Sequence, residues 1–567
     1  MKQAVIVCIA ALVIALPFVF HRPPPQGDWR PGDPELIVVT PHNEAIRQEF
    51  AEAFSVWHQA RYNKPVRIDW RVIGGTTEIM RYLAAEYAAS ARRFARAQKL
   101  NWPANGMEII FASKDPSDAS LGESLWQFFR ASDSPDEISC HMDVFFGGGE
   151  YDHQKAQRQG LTVPAWGTGA PPVGLFEDAQ GRVLVPKAVN GEVWRGEAFY
   201  GTVLSAFGIC YNKDRLADLG ITEPPHTWED LADVRYFGHL GLTDPTKSGS
   251  VAKAFEMIVH AQCAKTVAAA GFDRETIRKH ETALKAGADV PAAYQDAIEQ
   301  GWVNGINLLR RIGANALYFS DSSSKTPVDV SMGVVAVGIA IDFMGRFQSE
   351  MSTPPGQEPV MAYVNPEAGS SMTADPISLL RGAPSRELAV RFIEFVLGED
   401  GQHLWNYRVG EPGGPRRFAL RRLPIRRDFY PSADPAFQAT AEARHEHLSD
   451  PLWQSDTDAY HLAEAFRYEP RWTTSHFGIQ RDLVRCMCMD AAEELQAAWR
   501  AILRNGGPEA NPEAMKHFEA LPDMPLPLTW ESAITGYAKV PRMDILREWT
   551  SFFRKQYRLA EQAADKN

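Results

Sequence analysis

Apolar and polar positions alternate between two periods along this chain, and the switches between them outline the fold. Glu35-Leu-Ile-Val-Val-Thr40 is a short β-branched run that predicts a buried strand. The polar stretch Pro41-His42-Asn43-Glu44 follows it. Ile46, Phe50, Phe54 and Trp57 then recur at helical spacing and predict a helix from Ala45 to Tyr62. The pattern repeats with a strand at Val66–Val72, the loop Gly74-Gly75-Thr76-Thr77-Glu78 and a long helix to about Gln98. A third strand, Asp143–Phe146, runs into Gly147-Gly148-Gly149. Three strands that each end in a loop bearing Gly or Thr predict an open α/β sheet with loops converging at its carboxyl edge, where such sheets bind ligands.

The pattern restarts near Phe199. Gly201–Tyr211 predicts one strand, and Thr227 and Asp230 in Pro225-His-Thr-Trp-Glu-Asp-Leu231 have the spacing of a capped short helix. A strand around Gly241-Leu242 leads into Asp244-Pro-Thr-Lys-Ser-Gly-Ser250 and a helix from Val251 to about Ala270. Helical periodicity returns from Ala292 to Ile312. The Val-, Ala- and Gly-rich stretch from Val328 to Ile341 reads as a helix end and a strand that delivers Asp342. Leu388–Leu397 is an amphipathic helix, and the chain beyond about Tyr430 is mostly helical, with Trp453, Trp472 and Trp499 available for packing.

The reading is therefore an α/β chain of two lobes. Residues 35–200 form lobe one with part of 335–375, residues 201–334 form lobe two with part of 376–430, and residues 431–567 add a mainly helical C-terminal extension. Residues 22–34 are a Pro-rich linker. Before it, Lys2 and an apolar run from Ala4 to Phe20 give residues 1–21 the character of an export signal or an uncleaved membrane anchor. Either form places the bulk of the chain in the periplasm or otherwise outside the cytoplasm.

Composition narrows the function. With 45% hydrophobic and 23% charged residues the chain is ordinary globular material. A net charge of −12 argues against wrapping nucleic acid, which requires a basic face. Beyond Cys8 the five remaining cysteines are irregularly spaced, which predicts buried thiols and no disulfide framework or zinc site. Neither a Gly-x-Ser-x-Gly elbow nor a His-Glu-x-x-His helix is present, so the expectation is a binding protein without catalysis, cofactor or metal.

The candidate ligand contacts lie in the predicted edge loops. They are Thr40, His42, Asn43, Gly75, Thr76, Thr77, Gly148 and Gly149 from lobe one, with Asp244, Thr246, Ser248, Gly249 and Ser250 from lobe two. The Ser322–Ser324 run and Asp342 complete the set, Asp342 near the hinge with Arg346 as an alternative partner. Glycines allow close backbone approach, and hydroxyls beside helix N-termini offer donors to an anion. Because donors outnumber acceptors, these loops point to an anionic or polyhydroxylated organic solute.

Tyr211-Asn-Lys-Asp214, Pro225–Leu231, Leu242–Ser250 and Asp375–Pro384 leading to Phe392–Leu397 together resemble family 1 of the extracellular solute-binding proteins, which have the type II periplasmic-binding-protein fold. The resemblance covers roughly Pro34 to Tyr430 and lies on the branch of ferric, sugar-phosphate and phosphonate binders. It implies two lobes on a hinge and, as partners, the permease and ATPase of an ABC importer. A membrane-anchored ligand sensor and a ferric-ion binder with atypical ligands are the alternatives. Ferric members carry two adjacent tyrosines where this chain has Phe343-Met344 after Gly338–Asp342. A phenyl ring and a thioether offer Fe(III) no anionic oxygen, so the resemblance implies an organic cargo.

Overall fold

The computed structural model describes residues 29–114, 116, 121–449, 452 and 457–566. The signal or anchor, most of the linker and Trp453 lie outside the described residues.

Lobe one begins with β1 (Glu35–Val39), α1 (Glu44–Tyr62), β2 (Arg67–Arg71), α2 (Thr76–Ala97), β3 (Val144–Phe146), α3 (Glu150–Gln159) and β4 (Tyr200–Ser205). β1 pairs in parallel with both β2 and β3, as the two strand-loop-helix units require. Lobe two holds β5 (Phe207–Asn212), β6 (Leu240–Thr243), α4 (Gly249–Ala269), α5 (Ala292–Asn315), β7 (Ala316–Ser320), β8 (Val337–Ile341), α6 (Asp342–Met351) and β9 (Met361–Val364). Its sheet runs β7-β6-β8-β5-β9. The chain then returns as β10 (Thr373–Leu380), which lies antiparallel between β3 and β4 in the first sheet. The short strand Leu423–Pro424 forms that sheet's edge beyond β4, and Thr162–Val163 pairs with β10.

Two features differ from the sequence reading. Gly201–Tyr211 is two strands, broken at Ala206, and the first belongs to lobe one. The return segments are also exchanged: β8 and β9 stay in lobe two, whereas β10 and Leu423–Pro424 belong to lobe one. Both runs are buried and apolar, so periodicity cannot say which sheet receives them; non-local pairing decides. Among the described residues, Ala206 and residues 365–372 are the segments that cross between the two sheets, a short hinge. It is tied by hydrogen bonds from Asp342 N–H to Ala206 O (3.0 Å) and from Phe207 N–H to Ser370 Oγ (3.0 Å).

The capping proposed for Thr227 takes another form. Asp230 Oδ2 accepts from the backbone N–H groups of His226 and Thr227 at 2.7 and 2.8 Å, and the Thr227 side chain caps nothing. The five described cysteines are buried free thiols.

The C-terminal region is helical, and among its helices are α7 (Phe477–Val484), α8 (Ala492–Arg504) and α9 (Arg542–Ala564). Trp472 and Trp499 are buried. α7 and α8 pack on α4 and α5 of lobe two. Arg310 of α5 donates to the carbonyls of Phe518 and Ala520, which fixes the extension onto that lobe.

Candidate ligand-binding cleft

The carboxyl edges of the two sheets face each other across a cavity of about 450 Å³. Of the predicted contacts, His42, Asn43, Gly75, Thr76, Gly148, Ser248, Gly249 and Ser250 line it, as do Ser322 and Ser323. These residues sit where strands give way to helices. Asn43 caps α1 by accepting from Ile46 N–H (3.1 Å), Gly75 precedes α2, and Ser248 caps α4 by accepting from Val251 N–H (3.3 Å). Three helix N-termini thus converge on one space, each carrying partial positive charge.

His42 is the most informative lining residue. Thr40 Oγ1 accepts from its backbone N–H (3.0 Å), and its ring meets Phe146 edge-on with centroids 4.6 Å apart. The ring lies so close over Gly147 that a Cβ there would stand 2.3 Å from Nε2. Only 7% of the residue is exposed, yet neither ring nitrogen has a hydrogen-bond partner in the protein. Burial, with smaller help from Arg422, holds its pKa well below the usual histidine value, so the ring is neutral and offers one donor and one acceptor.

The glycine loop after β3 is shaped by sterics. Gly147 and Gly148 have φ of +87° and +99°, and a Cβ on Gly148 would fall 2.0 Å from Thr76 Cγ2. His153 steadies this loop through Ser378 Oγ (2.7 Å) and the Gly147 carbonyl (3.1 Å); burial drives its pKa down to about 4.

Seven predicted contacts do not line the cavity, and one of them, Ser324, lines a neighbouring cavity instead. Thr40 supports the His42 loop, and Gly149 precedes α3. Asp244 Oδ1 accepts from both the N–H and Oγ1 of Thr246, each at 2.7 Å, so these two side chains build the turn that presents Ser248. Asp342 is buried behind the wall, where Oδ1 accepts from Phe343 N–H (2.8 Å) and Arg346 stands 4.0 Å away. Burial pushes its carboxyl pKa up and Arg346 opposes the shift. Thr77 Oγ1 accepts from Arg481 Nη2 (2.7 Å).

Sequence reasoning missed other wall residues. Glu78, Lys247 and Asp321 bring charge, Phe343 and Met344 bring apolar surface, and Asp375 lines the floor. Asp375 is paired with the fully buried Arg422, whose guanidinium lies 4.1 Å from the Phe343 ring centroid and donates to Ser205 Oγ (2.7 Å). Its partners come from β4, β10 and α6, so no local motif announces it. Among the described residues no three His, Cys, Asp or Glu side chains form a group able to hold a metal ion.

The lobes touch beside the cavity. A Cβ on Gly75 would lie 2.6 Å from the Lys247 carbonyl oxygen, and one on Gly249 would lie 2.7 Å from Thr76 Oγ1. Two further connections span the same boundary. Arg481 of α7 donates to the Pro245 carbonyl (2.6 Å) and the Thr246 carbonyl (3.0 Å) in lobe two, as well as to Thr77 in lobe one. Phe477 packs on Tyr151 of lobe one with centroids 4.4 Å apart. Deeper along α4, Lys253 lies 3.0 Å from Glu192, 3.2 Å from Glu256 and 3.6 Å from Glu150, all four buried. Burial raises the Glu150 pKa to about 7 against the pull of Lys253.

Residues 137–407, which span β3 to the helices after β10, match the family model described as bacterial extracellular solute-binding protein. The matched stretch is just under half of the chain and is similar to bacterial extracellular solute-binding proteins. That stretch contains the hinge, all of lobe two and the glycine loop after β3. An uncharacterized protein of Haemophilus influenzae is 21% identical over 262 residues, 46% of this chain. The match spans 60% of that relative's length. Among solved structures, the periplasmic binding protein AfuA from Actinobacillus pleuropneumoniae with fructose-6-phosphate bound is 15% identical, with a TM-score of 0.44 over 76% of this chain and 94% of its own. The periplasmic binding protein P5PA is 16% identical with a TM-score of 0.43, covering 76% and 96%.

Proposed function

We propose that this chain is the extracytoplasmic receptor of an ABC import system and that it holds a small anionic or polyhydroxylated organic solute between its lobes. The observation that carries the reading is the unpartnered His42 in a cavity at which three helix N-termini point. Each helix end contributes only about 0.3–1 kcal/mol toward an anion, so several must act together. Lys247 adds a cation, and Glu78 and Asp321 supply acceptors that suit sugar-like hydroxyls. Closure about the Ala206 hinge would enclose the solute and present the closed receptor to a permease. Catalysis and nucleic acid have no part in this proposal.

A thermal-shift screen of sugar phosphates, organophosphonates and free sugars tests it. A solute at 100 times its Kd stabilises the folded state by about 2.7 kcal/mol and raises Tm visibly. Ser250→Trp, which fills the cavity at the start of α4, is expected to abolish that shift. Tight ferric binding with no response to any organic anion or sugar would overturn the reading.

A further inference from the structure

Beside the cleft lies a second cavity of about 250 Å³, and its character is opposite. Lobe one supplies Ala45, Ala419 and Leu420, and lobe two supplies Pro327, Val328 and Phe347. Each of its polar neighbours already makes a hydrogen bond within the protein. Asn43 Oδ1 accepts from Ile46 N–H, Ser324 Oγ is bonded to Ser322 Oγ (2.8 Å), and Gln348 Nε2 donates to Ser331 Oγ (2.9 Å). Asn43, Ile46, Phe343 and Met344 line both cavities, so the two spaces share one wall. Phe343 and Met344, which supply no oxygen to a metal, here form apolar surface between a polar chamber and an apolar one.

Resting on the function proposed above, we infer that the solute is amphiphilic: a polar or anionic head in the main cleft carries an apolar substituent that enters this side cavity. An apolar group there is gripped by both lobes, so its burial is gained on closure and adds to the drive toward the closed state. A hydrophilic sugar phosphate would leave this chamber empty of matching chemistry. An organic phosphate or phosphonate bearing an alkyl or similar apolar chain fits both.

The experiment is calorimetric titration of the full chain with methyl, ethyl, butyl and hexyl phosphate. Val328→Trp narrows the side cavity at a position 37% exposed, where the fold tolerates a larger side chain, and Ala419→Leu narrows it from the other lobe. Each added methylene is expected to tighten Kd about three- to fourfold until the cavity is full. Both variants should bind methyl phosphate as the unmodified protein does and lose the gain along the series. Equal affinity for methyl and hexyl phosphate would overturn the inference and leave the proposed function standing. A gain that persists in both variants would place the chain elsewhere and also overturn it. If none of the four phosphates binds, the inference is overturned, and the functional reading is decided separately by the thermal-shift screen of sugars and organic anions.

Discussion

The first two turns of α4 serve opposite purposes. Ser248, Gly249 and Ser250 open onto a cavity where His42 leaves two buried nitrogens unpartnered. One turn later, Lys253 is fully enclosed by Glu150, Glu192 and Glu256, and Tyr468 and Thr473 of the C-terminal extension donate to Glu256. A buried polar group without a protein partner costs free energy, and the function proposed above assigns that unmet capacity to a bound solute. The second arrangement satisfies its charges internally and holds the lobes and the extension together. The proposed binding surface and the fastening cluster are thus about five residues apart on one helix.

The largest expected effect comes from removing the cation. Lys253→Met leaves three carboxylates buried together and should lower unfolding stability by about 3–5 kcal/mol in urea titration at pH 8. The loss should shrink toward pH 5, where carboxyls can take up protons; an equal loss at both pH values would show that the charges are not what the lysine balances.

Glu150 gives the same cluster a pH signature. Its folded pKa of about 7 lies above its ordinary 4.5, so the folded state binds its proton more tightly. The resulting stability is fully present below about pH 4.5 and is lost as pH rises through 7. Glu150→Gln should flatten the slope of stability against pH over that interval, as followed by thermal unfolding in a buffer series. A slope unchanged from the parent would remove Glu150 as its source.

Arg481→Ala tests whether the extension fastens the lobes. It deletes three hydrogen bonds from a charged donor to both lobes, and a loss of about 1.5–3 kcal/mol is expected, with faster solute release by stopped-flow. Gly75→Ala drives a methyl group toward the Lys247 carbonyl and should weaken solute binding by on the order of 1 kcal/mol, with little change in Tm. Unchanged affinity would mean that the lobes need not approach here to hold solute. The smallest effect is expected for His42→Phe, which keeps the ring packing and removes two unpartnered nitrogens. Stability should hold or rise slightly while solute affinity falls by about 0.5–1.5 kcal/mol; loss of stability would assign the ring a structural duty instead.

The cavity lining was legible where a strand ends in a loop that leads into a helix. Glycine and hydroxyl residues there mark themselves by composition, and His42, Thr76 and Ser250 sit in such loops. Thr246 and Asp244 have the same composition and point at each other, because a turn and a ligand cradle need the same residue types. Arg422 and Arg481 were illegible for another reason. Each reaches partners hundreds or dozens of residues away, and nothing adjacent to them in sequence distinguishes them from surface arginines.

By itself the sequence determined the local elements: β1, α1, α2, β3 and α4 follow from hydrophobic period, cap residues and glycine placement, all of which act over a few residues. It also determined that Phe343 and Met344 provide no oxygen donors. Tertiary structure alone decided that Ala206 is the crossing point and that β8 and β9 stay in lobe two. It likewise returned β10 to lobe one and brought α7 to the mouth of the cleft. Those outcomes depend on which apolar edges pair across long stretches of chain, and such pairings are selected by the packing of the whole molecule.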